Sequence, residues 1–314
     1  MKAFITGING FAGSYLAESL IKKGRQVSGS IQSGTPLDNL AGIPKLSLIT
    51  LDLNDYRSLE KALLAEKPDE IYHLAAISNV NDSLSDPRRC FEVNVLGSLN
   101  LLEISRLKLP GAALLLASSS EIYGESLTNH LLIDEEAPIL PRSHYAVSKA
   151  SVDMLGKVYA KNYGLKIIIA RPASYIGPRQ TKPLFLPSVA SQIVELEKTG
   201  GGEIRVGNIE MDRDFTDVRD VVDAYILMAE KGRSGEAYNI CRGETRRLKE
   251  LVDRLIGLAR VPIKVTIDPE RCRPSDLTSM KIDNRKLQKE TGWRPGISIE
   301  KTLVDILEYW RKLV

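Results

Sequence analysis

The stretch KAFITGINGFAG at residues 2–13 decides the fold. Its apolar start is typical of a buried strand, and Gly7, Gly10 and Gly13 follow with GxxGxxG spacing before a helix predicted over about residues 12–23. Glycines at a strand-to-helix turn let the backbone approach a pyrophosphate, to which the helix N-terminus presents free N–H groups. Because this turn is the first strand-to-helix junction of the chain, it predicts a dinucleotide-binding unit.

Short apolar runs then alternate with amphipathic stretches. QVSGSI, EIYHLAA, AALLLASSS and LKIIIARP are strand-like, whereas helical spacing predicts helices over residues 58–66, 89–107 and 145–163. This alternation is typical of βαβ crossovers and of a parallel sheet that helices cover on both faces. The predicted fold class is therefore α/β, a doubly wound parallel sheet of the Rossmann type.

The composition of the sequence and the length of its predicted elements change after Pro172. Prolines and the triplet Gly200, Gly201 and Gly202 separate shorter elements, which suggests a smaller, mainly C-terminal lobe above the carboxyl edge of the sheet. DVRDVVDAYILMAEK is predicted to be a helix, and EAYNIC a strand that rejoins the sheet. The expected division is a dinucleotide-binding domain from residues 1–172 and 214–242 and a substrate-binding lobe from residues 173–213 and 243–314.

Composition narrows the class of partner. The chain has 314 residues and a net charge of +3 with dispersed basic residues, which argues against nucleic acid as a partner. Cys90, Cys241 and Cys272 form no CxxC pair, so neither a disulfide framework nor a metal site is expected. The sequence opens on a strand without an apolar leader and has no run of membrane-spanning length. We expect a cytoplasmic protein with no membrane partner.

The segment after the second predicted strand bears on the choice of cofactor. An acidic residue there binds the ribose 2′-hydroxyl of NAD, whereas an arginine nearby accommodates the 2′-phosphate of NADP. Ser30, Ile31, Gln32 and Ser33 satisfy neither rule. Since no carboxylate repels a phosphate, NADP is favoured, with NAD as the alternative. Asp52, after the third strand, could accept a hydrogen bond from the adenine amino group or cap the following helix.

The hexapeptide HYAVSK, residues 144–149, carries the candidate chemistry. Tyr145 and Lys149 lie one helical turn apart, so their side chains share a face. A tyrosine has a pKa near 10, and a nearby ammonium together with an oxidised nicotinamide would favour the phenolate. Ser119 follows AALLLA at the predicted carboxyl edge, where its hydroxyl could hold the oxygen that gains or loses the proton. Taken singly, each of these residues is more typical of ordinary packing or of a strand end than of a catalytic site.

Together these motifs resemble the extended short-chain dehydrogenases/reductases that act on nucleotide sugars. The resemblance spans the chain through TGINGFAG, LDLND, HLAA, EVNVLGSLNLLE, SSSEIYG, YAVSK, RDFTDVRD, AYNIC and TGWRP. It implies a catalytic centre of Ser119, Tyr145 and Lys149, with Asn94 supporting the relay through its helix and Lys149 also holding the nicotinamide ribose. The cofactor-binding residues that it implies are Gly7, Asn9, Gly10, Phe11, Ala12, Gly13, Ser30, Gln32, Asp52, Leu53, Leu74, Ala75, Ala76, Asn94, Tyr145, Lys149 and Arg171.

Within this family, RDFTDVRD, LPSVASQIVELEK and RPSD most resemble the GDP-mannose branch, which holds 4,6-dehydratases and 4-keto-6-deoxy-mannose reductases. Arg213 and Arg273 would then bind the substrate pyrophosphate; alternatively, they pair with nearby aspartates on the surface. Ser174 stands where the family pattern RxxNxxGP has an asparagine, so the sugar or its orientation could differ. The implied substrate-binding residues are Ser120, Glu121, Ser174, Arg179, Val206, Arg213 and Arg273.

Glu121 bears on the reaction. A 4,6-dehydratase needs a carboxyl group as acid and base at C5 and C6, and Glu121 could supply it, whereas family epimerases usually carry small residues there. The segment SIQSGTPLDNL lacks the arginine-rich loop of the dehydratases. The sequence therefore favours an NADPH-dependent reductase that converts GDP-4-keto-6-deoxy-D-mannose to GDP-D-rhamnose. The alternatives are a GDP-mannose 4,6-dehydratase, another nucleotide-sugar epimerase or dehydratase, and a cofactor-binding sensor without turnover.

The resemblance also implies a homodimer. Helices 89–107 and 145–163 resemble those that pair in this family as a four-helix contact, although their apolar stripes could equally face the sheet. None of His73, His130 and His144 has an obvious ligand set, and none is assigned to a metal.

Overall fold

Parallel strands form the largest sheet of the computed structural model, which describes residues 1–129, 132–182, 184–271 and 281–314. The strands are β1 (Lys2–Thr6), β2 (Gln26–Ile31), β3 (Leu46–Thr50), β4 (Glu70–His73), β5 (Ala113–Ala117), β6 (Ile167–Pro172), β7 (Ser174–Ile176), β8 (Gly202–Val206), β9 (Asp212–Asp217), β10 (Ala237–Ile240), β11 (Thr245–Arg247) and β12 (Ile263–Ile267).

The α-helices are α1 (Phe11–Lys22), α2 (Tyr56–Glu66), α3 (Val80–Ser85), α4 (Pro87–Phe91), α5 (Gly97–Lys108), α6 (His144–Tyr163), α7 (Phe185–Thr199), α8 (Val218–Lys231), α9 (Leu248–Gly257), α10 (Arg285–Thr291) and α11 (Ile299–Leu313). Shorter 3₁₀ segments cover Asp38–Leu40, Ser120–Asn129 and Pro269–Arg271. The helix predicted over residues 89–107 consists of α4, a π-helical turn at Glu92–Leu96 and α5.

The large sheet has the order β10-β6-β5-β4-β1-β2-β3, and every pair in it is parallel. Strand order reverses beside β1, because the chain first builds β2 and β3 on one side and then β4 to β6 on the other. EAYNIC does rejoin the sheet, as β10 beside β6. The structure confirms the predicted doubly wound α/β fold.

Burial on both faces explains the apolar composition of the central strands. All residues of β4, β5, β6 and β10 are buried. Alternate residues of β6 point to opposite faces: Ile168 packs with α1 and α8, whereas Ile167 and Ile169 pack with α2, α5 and α6. Two apolar layers therefore enclose the sheet, as the near-continuous apolar runs predict.

The smaller lobe has its own apolar core, built from α7, α9 and α11. Its strands form a sheet of order β11-β9-β7 and a parallel pair of β8 and β12. A stacked pair of rings and a hydrogen bond join the lobe to the first helix of the chain. The rings of Phe11 and Tyr175 stack at 5.7 Å, and the Tyr15 hydroxyl donates to the Pro178 carbonyl at 3.2 Å.

Residues 285–293, which were assigned to the substrate-binding lobe from the sequence, contact the large sheet's core. Leu287 of α10 and Trp293 belong to the core that α1 and α8 form on the large sheet. The Trp293 indole also donates to the Asp220 carbonyl at 2.9 Å. This segment therefore packs with the dinucleotide-binding domain, because its two large apolar side chains find their core there rather than in the smaller lobe.

Arg171, which was predicted to bind the cofactor, forms a buried ion pair. Its guanidinium donates to both carboxylate oxygens of Asp153 at 2.7 and 2.9 Å and also to the Tyr123 hydroxyl and the Glu135 carbonyl, each at 2.9 Å. The arginine is fully buried beneath the sheet edge and does not line the cleft described below. It ties β6 to α6 instead. In the described part of the chain, no helix is long and apolar enough to cross a membrane.

We expect Asp153→Ala to destabilise the protein by about 3–5 kcal/mol, because it leaves the Arg171 guanidinium buried without its counter-ion. Chemical unfolding followed by circular dichroism measures the change. Asp253→Ala is the matched control, since the Lys249–Asp253 pair on α9 is exposed and screened by solvent and should contribute much less. Equal losses in the two variants would contradict this role for the buried pair.

Candidate active site

A cleft of about 1980 Å³ lies between the two lobes, at the carboxyl ends of the parallel strands. Residues at the ends of five strands line this cleft: Gly7 after β1, Ser30 near the end of β2, Leu74 after β4, Ser119 after β5 and Ala173 after β6. Ligands of doubly wound folds bind at this edge, beside the point where strand order reverses.

The glycine turn lies at one end of the cleft and allows a close backbone approach. Gly7 has φ +67°, and a Cβ there would lie 3.0 Å from the Cα of Ala75. A Cβ on Gly13 would lie 2.4 Å from the Gly7 carbonyl oxygen. Gly10 is the N-cap of α1 and no side chain caps this helix, so its first N–H groups can receive an anion. This arrangement fits the pyrophosphate of a dinucleotide cofactor.

A loop after β2 closes over the glycine turn. The Asn9 amide donates to the Thr35 hydroxyl and the Pro36 carbonyl, each at 2.9 Å, and Asn39 donates to the Asn9 carbonyl at 3.2 Å. Ser30 is buried, and its carbonyl accepts the Gly7 N–H at 3.0 Å. The sequence analysis missed Thr35, Pro36 and Asn39, because only the folded loop brings them to Asn9.

Asp52 lies in the cleft and does not cap α2. Its carboxylate accepts the Asn54 N–H at 2.9 Å and faces the Arg89 guanidinium at 3.7 Å, while Asp55 is the N-cap of α2. The capping alternative for Asp52 was therefore wrong. Arg89, which also lines the cleft, was not predicted.

Tyr145 and Ser119 meet at the centre of the cleft. Tyr145 is in the first turn of α6, whose N-cap Ser143 accepts the Ala146 N–H at 3.1 Å. The Tyr145 hydroxyl lies near enough to Ser119 for the serine to lower its pKa. The Ser119 hydroxyl in turn accepts the Glu121 N–H at 3.2 Å, which fixes Glu121 two residues further along the same wall. The sequence therefore brings the three predicted side chains to one wall.

Burial sets the acid–base properties of this centre. It raises the pKa of the Tyr145 hydroxyl above its ordinary value; Tyr175 and Glu121 raise it further, and only Ser119 opposes them. The Lys149 ammonium donates to the Ala117 carbonyl at 2.7 Å, and burial lowers the pKa of Lys149 to about 8. Desolvation outweighs the other influences on the pKa of Tyr145, so its hydroxyl favours the protonated form. The lowering expected from Lys149 together with an oxidised nicotinamide stays a prediction.

His73 is a neutral structural residue beside the cofactor end of the cleft. Burial lowers the pKa of His73 to about 3, and its ring nitrogens bond to Thr6 and Ser98, each at 2.8 Å. Ser98 already donates to the Asn94 carbonyl, so it accepts from Nε2–H of the imidazole. Thr6 then donates to Nδ1 and accepts the N–H groups of residues 74 and 75. The histidine therefore fixes the loop that packs against Gly7.

Asn94, which was predicted to bind the cofactor and to support the relay through its helix, contacts the elements around the cleft. It is buried in the π-helical turn and does not line the cleft. Its amide donates to the Ser148 hydroxyl at 2.9 Å and exchanges hydrogen bonds with the backbone of Ile77. Asn94 thus positions α6 and the loop beside the cofactor end. Its contact to α6 through Ser148 was not predicted.

The arginines that were predicted to bind the substrate lie in different parts of the chain's structure. Arg213 lines the cleft and donates to the Asp212 carbonyl at 2.9 Å. Arg179 lies against α1, with its guanidinium 3.1 Å from Glu18 and over the Tyr15 ring, so it borders the glycine-turn end. Arg273 lies outside the described residues, and its role stays a prediction.

Most predicted site residues share this one cleft, and their roles remain predictions. Those that line it are Gly7, Asn9, Gly10, Phe11, Ala12, Gly13, Ser30, Gln32, Asp52, Leu53, Leu74, Ala75, Ala76, Ser119, Ser120, Glu121, Tyr145, Lys149, Ser174, Arg179, Val206 and Arg213. Arg142, Asn208 and Glu270 also line it without having been predicted. Among the described residues, no group of three histidine, cysteine, aspartate or glutamate side chains could hold a metal ion.

Comparison with known proteins gives consistent matches over the whole chain. The sequence model of the family described as GDP-mannose 4,6 dehydratase matches residues 4–306. The chain is 32% identical to a GDP-6-deoxy-D-mannose reductase from Pseudomonas aeruginosa, covering 100% of this chain and 98% of that protein. It is 31% identical to GDP-mannose 4,6 dehydratase 1 from Arabidopsis thaliana, covering 95% of this chain and 86% of that protein.

A solved structure has the same fold. RMD from Pseudomonas aeruginosa, complexed with NADPH, superimposes with a TM-score of 0.85 at 30% identity, covering 100% of this chain and 99% of that one. These matches confirm the resemblance that the motifs indicated.

The buried Lys149 ammonium predicts a pH dependence of stability. Its pKa of about 8 in the folded protein lies below the 10.5 of an unfolded lysine, so the unfolded chain binds more protons between these values and stability rises with pH. Relative to Lys149→Met, the wild-type free energy of unfolding should rise by about 3 kcal/mol from pH 8 to 10.5, measured by chemical unfolding. Lys161→Met, at an exposed position on α6, is the control. Parallel profiles for wild type and Lys149→Met would contradict the assignment.

Proposed function

The chain belongs to the GDP-mannose 4,6-dehydratase family, and we propose that it reduces the 4-keto group of GDP-4-keto-6-deoxy-D-mannose with NADPH, forming GDP-D-rhamnose. It is an NAD(P)-dependent enzyme of the extended short-chain dehydrogenase/reductase type, as its relatives are. Relatives in this family include reductases and dehydratases that act on nucleotide sugars.

The observation that carries the proposal is that Tyr145 and Ser119 meet in the cleft, where burial raises the pKa of the Tyr145 hydroxyl. Reduction of a ketone develops negative charge on its oxygen, which must receive a proton. A buried phenol with a raised pKa supplies that proton at neutral pH. Similarity to the reductase over the whole of this chain supports the same direction.

Each group of residues in the cleft has its own role in the proposed reduction. NADPH, when bound, supplies the hydride that C4 receives. The glycine turn and the N-terminus of α1 hold the cofactor pyrophosphate, and Lys149 lies one turn from Tyr145 to hold the nicotinamide ribose. Ser119 donates a hydrogen bond to the C4 oxygen, and Tyr145 transfers its proton to this oxygen as the C4–H bond forms. The product is a secondary alcohol, and Tyr145 regains its proton from solvent.

The preference for NADPH rests on the end of β2. Ser30 and Gln32 line the cleft there and bring no carboxylate that would repel a 2′-phosphate. The similar structure that contains NADPH supports the same choice. NAD is the alternative.

Glu121 favours a second candidate, GDP-mannose 4,6-dehydration. Its backbone is bonded to Ser119, and it lines the same wall as Tyr145. A carboxyl group there could remove the C5 proton and protonate the departing C6 hydroxyl. The two reactions need different starting sugars, so a direct assay separates them.

We also propose a homodimer through α5 and α6. Val147, Met154 and Val158 of α6 are 38%, 52% and 46% exposed, and Leu107 of α5 is 52% exposed. Exposed apolar side chains on adjacent helices are typical of a subunit contact. The mass of the intact protein by light scattering tests the dimer, and a monomer at micromolar concentration would contradict it.

We expect the purified protein to oxidise NADPH when given GDP-4-keto-6-deoxy-D-mannose, with one equivalent of GDP-D-rhamnose formed per NADPH consumed. Loss of NADPH absorbance and chromatography of the product measure this reaction. GDP-mannose with NADP should yield no 4-keto sugar. Formation of a 4-keto sugar from GDP-mannose by the protein alone would overturn the reductase in favour of the dehydratase.

Tyr145→Phe should lower the rate of reduction by about 100-fold or more, because it removes the proton donor and little volume. NADPH affinity, measured by titration calorimetry, should stay nearly unchanged. Tyr163→Phe, at an exposed tyrosine of the same helix, is the control and should keep full activity. Full activity in Tyr145→Phe would end the proposed role of the phenol.

A further inference from the structure

We propose that the stack of Tyr175 on Phe11 couples the two halves of the cleft. Cofactor bound at the glycine turn fixes the substrate-binding wall through this stack, so the nucleotide sugar binds more tightly to the cofactor-loaded protein. Tyr175 is then a positioning residue that acts through its neighbours. This inference rests on the proposed nucleotide-sugar substrate and adds a link between its site and that of the cofactor.

Phe11 connects the glycine turn to the smaller lobe. It is the first residue of α1, directly after the N-cap Gly10, so its backbone N–H is one of those that a cofactor pyrophosphate would meet. Its ring stacks on Tyr175 of β7, with 5.7 Å between the ring centroids and 10° between the ring planes. The same ring meets Tyr15 edge-on at 5.9 Å. An anion that orders the backbone of this turn therefore also orders the ring on which Tyr175 packs.

Further contacts hold the segment after Tyr175 against α1. The Tyr15 hydroxyl donates to the Pro178 carbonyl at 3.2 Å, and the Arg179 guanidinium lies 4.5 Å from the centre of the Tyr15 ring and 3.1 Å from Glu18. Arg179 has φ +71°, a backbone conformation that residues other than glycine rarely adopt. Such a conformation persists only where the surrounding contacts determine it, so this segment is fitted closely to α1.

Tyr175 belongs to the wall of the cleft on the side of the smaller lobe. β7 pairs with β9 in parallel, with Ser174 opposite Phe215. β9 also carries Arg213, and both Ser174 and Arg213 line the cleft. Tyr175 lies near enough to Tyr145 to raise the pKa of its hydroxyl. A displacement of Tyr175 would therefore move both predicted substrate contacts relative to the phenol.

The order in which the two sites are filled changes the entropic cost of binding. Without cofactor, the nucleotide sugar must restrict the wall and the glycine turn together when it binds. With cofactor, the turn and the Phe11 ring are already fixed, so less conformational entropy is lost. Thermodynamic linkage requires the same factor in reverse, so the nucleotide sugar strengthens cofactor binding equally.

Titration calorimetry of the full chain with GDP-mannose, with and without saturating NADPH, tests the coupling. NADPH cannot oxidise this sugar, so the ternary complex does not react. Wild type should bind GDP-mannose at least about fivefold more tightly when NADPH is present. Tyr175→Leu removes the ring and should reduce this factor to less than about twofold, whereas Tyr175→Phe keeps the ring and should keep the factor.

A second variant and a control separate the stack from a general loss of packing. Phe11→Leu should act like Tyr175→Leu, and the two changes together should lower the factor no further than either alone, since both break one stack. Tyr56→Leu is the matched control, because Tyr56 is a half-buried tyrosine on α2 that does not line the cleft, and it should leave the factor unchanged. Circular dichroism checks that each variant is folded.

Equal wild-type affinity for GDP-mannose with and without NADPH overturns the proposal, and so does a folded Tyr175→Leu variant that keeps the wild-type factor. Coupling that Tyr175→Leu removes, in a protein that does not reduce the 4-keto sugar, refutes the reductase and keeps the stack. Reduction of the 4-keto sugar with a factor that Tyr175→Leu leaves unchanged refutes the stack alone. Absence of GDP-mannose binding in both states refutes the proposed GDP-linked substrate and the coupling with it.

Discussion

The contact between the first turn and the loop after β4 determines where the cleft forms. Gly7 can face Ala75 only because it has no side chain, and Gly13 allows α1 to start directly above the same turn. His73 and Thr6 hold the opposing loop from below through a neutral hydrogen-bonded pair. The N-terminus of α1 is thereby fixed at the sheet edge, and the other catalytic candidates are placed relative to it.

Desolvation, more than pairing of opposite charges, governs the chemistry of this edge. Burial raises the pKa of Tyr145, so its hydroxyl favours the protonated form, and lowers the pKa of Lys149, so its ammonium loses a proton more easily. Both effects follow from the same covering of the cleft floor by α6, which Asn94 and the Arg171–Asp153 pair hold in place. Asn94 and the Arg171–Asp153 pair therefore position the helix that carries Tyr145 and Lys149.

Local patterns predicted the sheet and the centre of the site. The glycine turn, the YxxxK spacing and the strand-ending serines are each defined by neighbours within a few positions, so the sequence was enough to find them. The sequence did not reveal the pairing of Arg171 with Asp153, because Asp153 lies on a separate helix, or the packing of Trp293, because an apolar side chain does not indicate which core it joins. Asn208 and Glu270 were missed for a related reason, since nothing local pairs β8 with β12.

The return of residues 285–293 to the large-sheet core constrains how the two lobes can move and be dissected. The polypeptide enters the smaller lobe after β6, leaves it for α8 and β10, enters again, and is anchored on the first core by Trp293 before α11. Neither lobe is a continuous piece of chain, and no single proteolytic cut releases one intact. Because the chain crosses between the lobes several times, any movement of one lobe against the other would bend several backbone segments together.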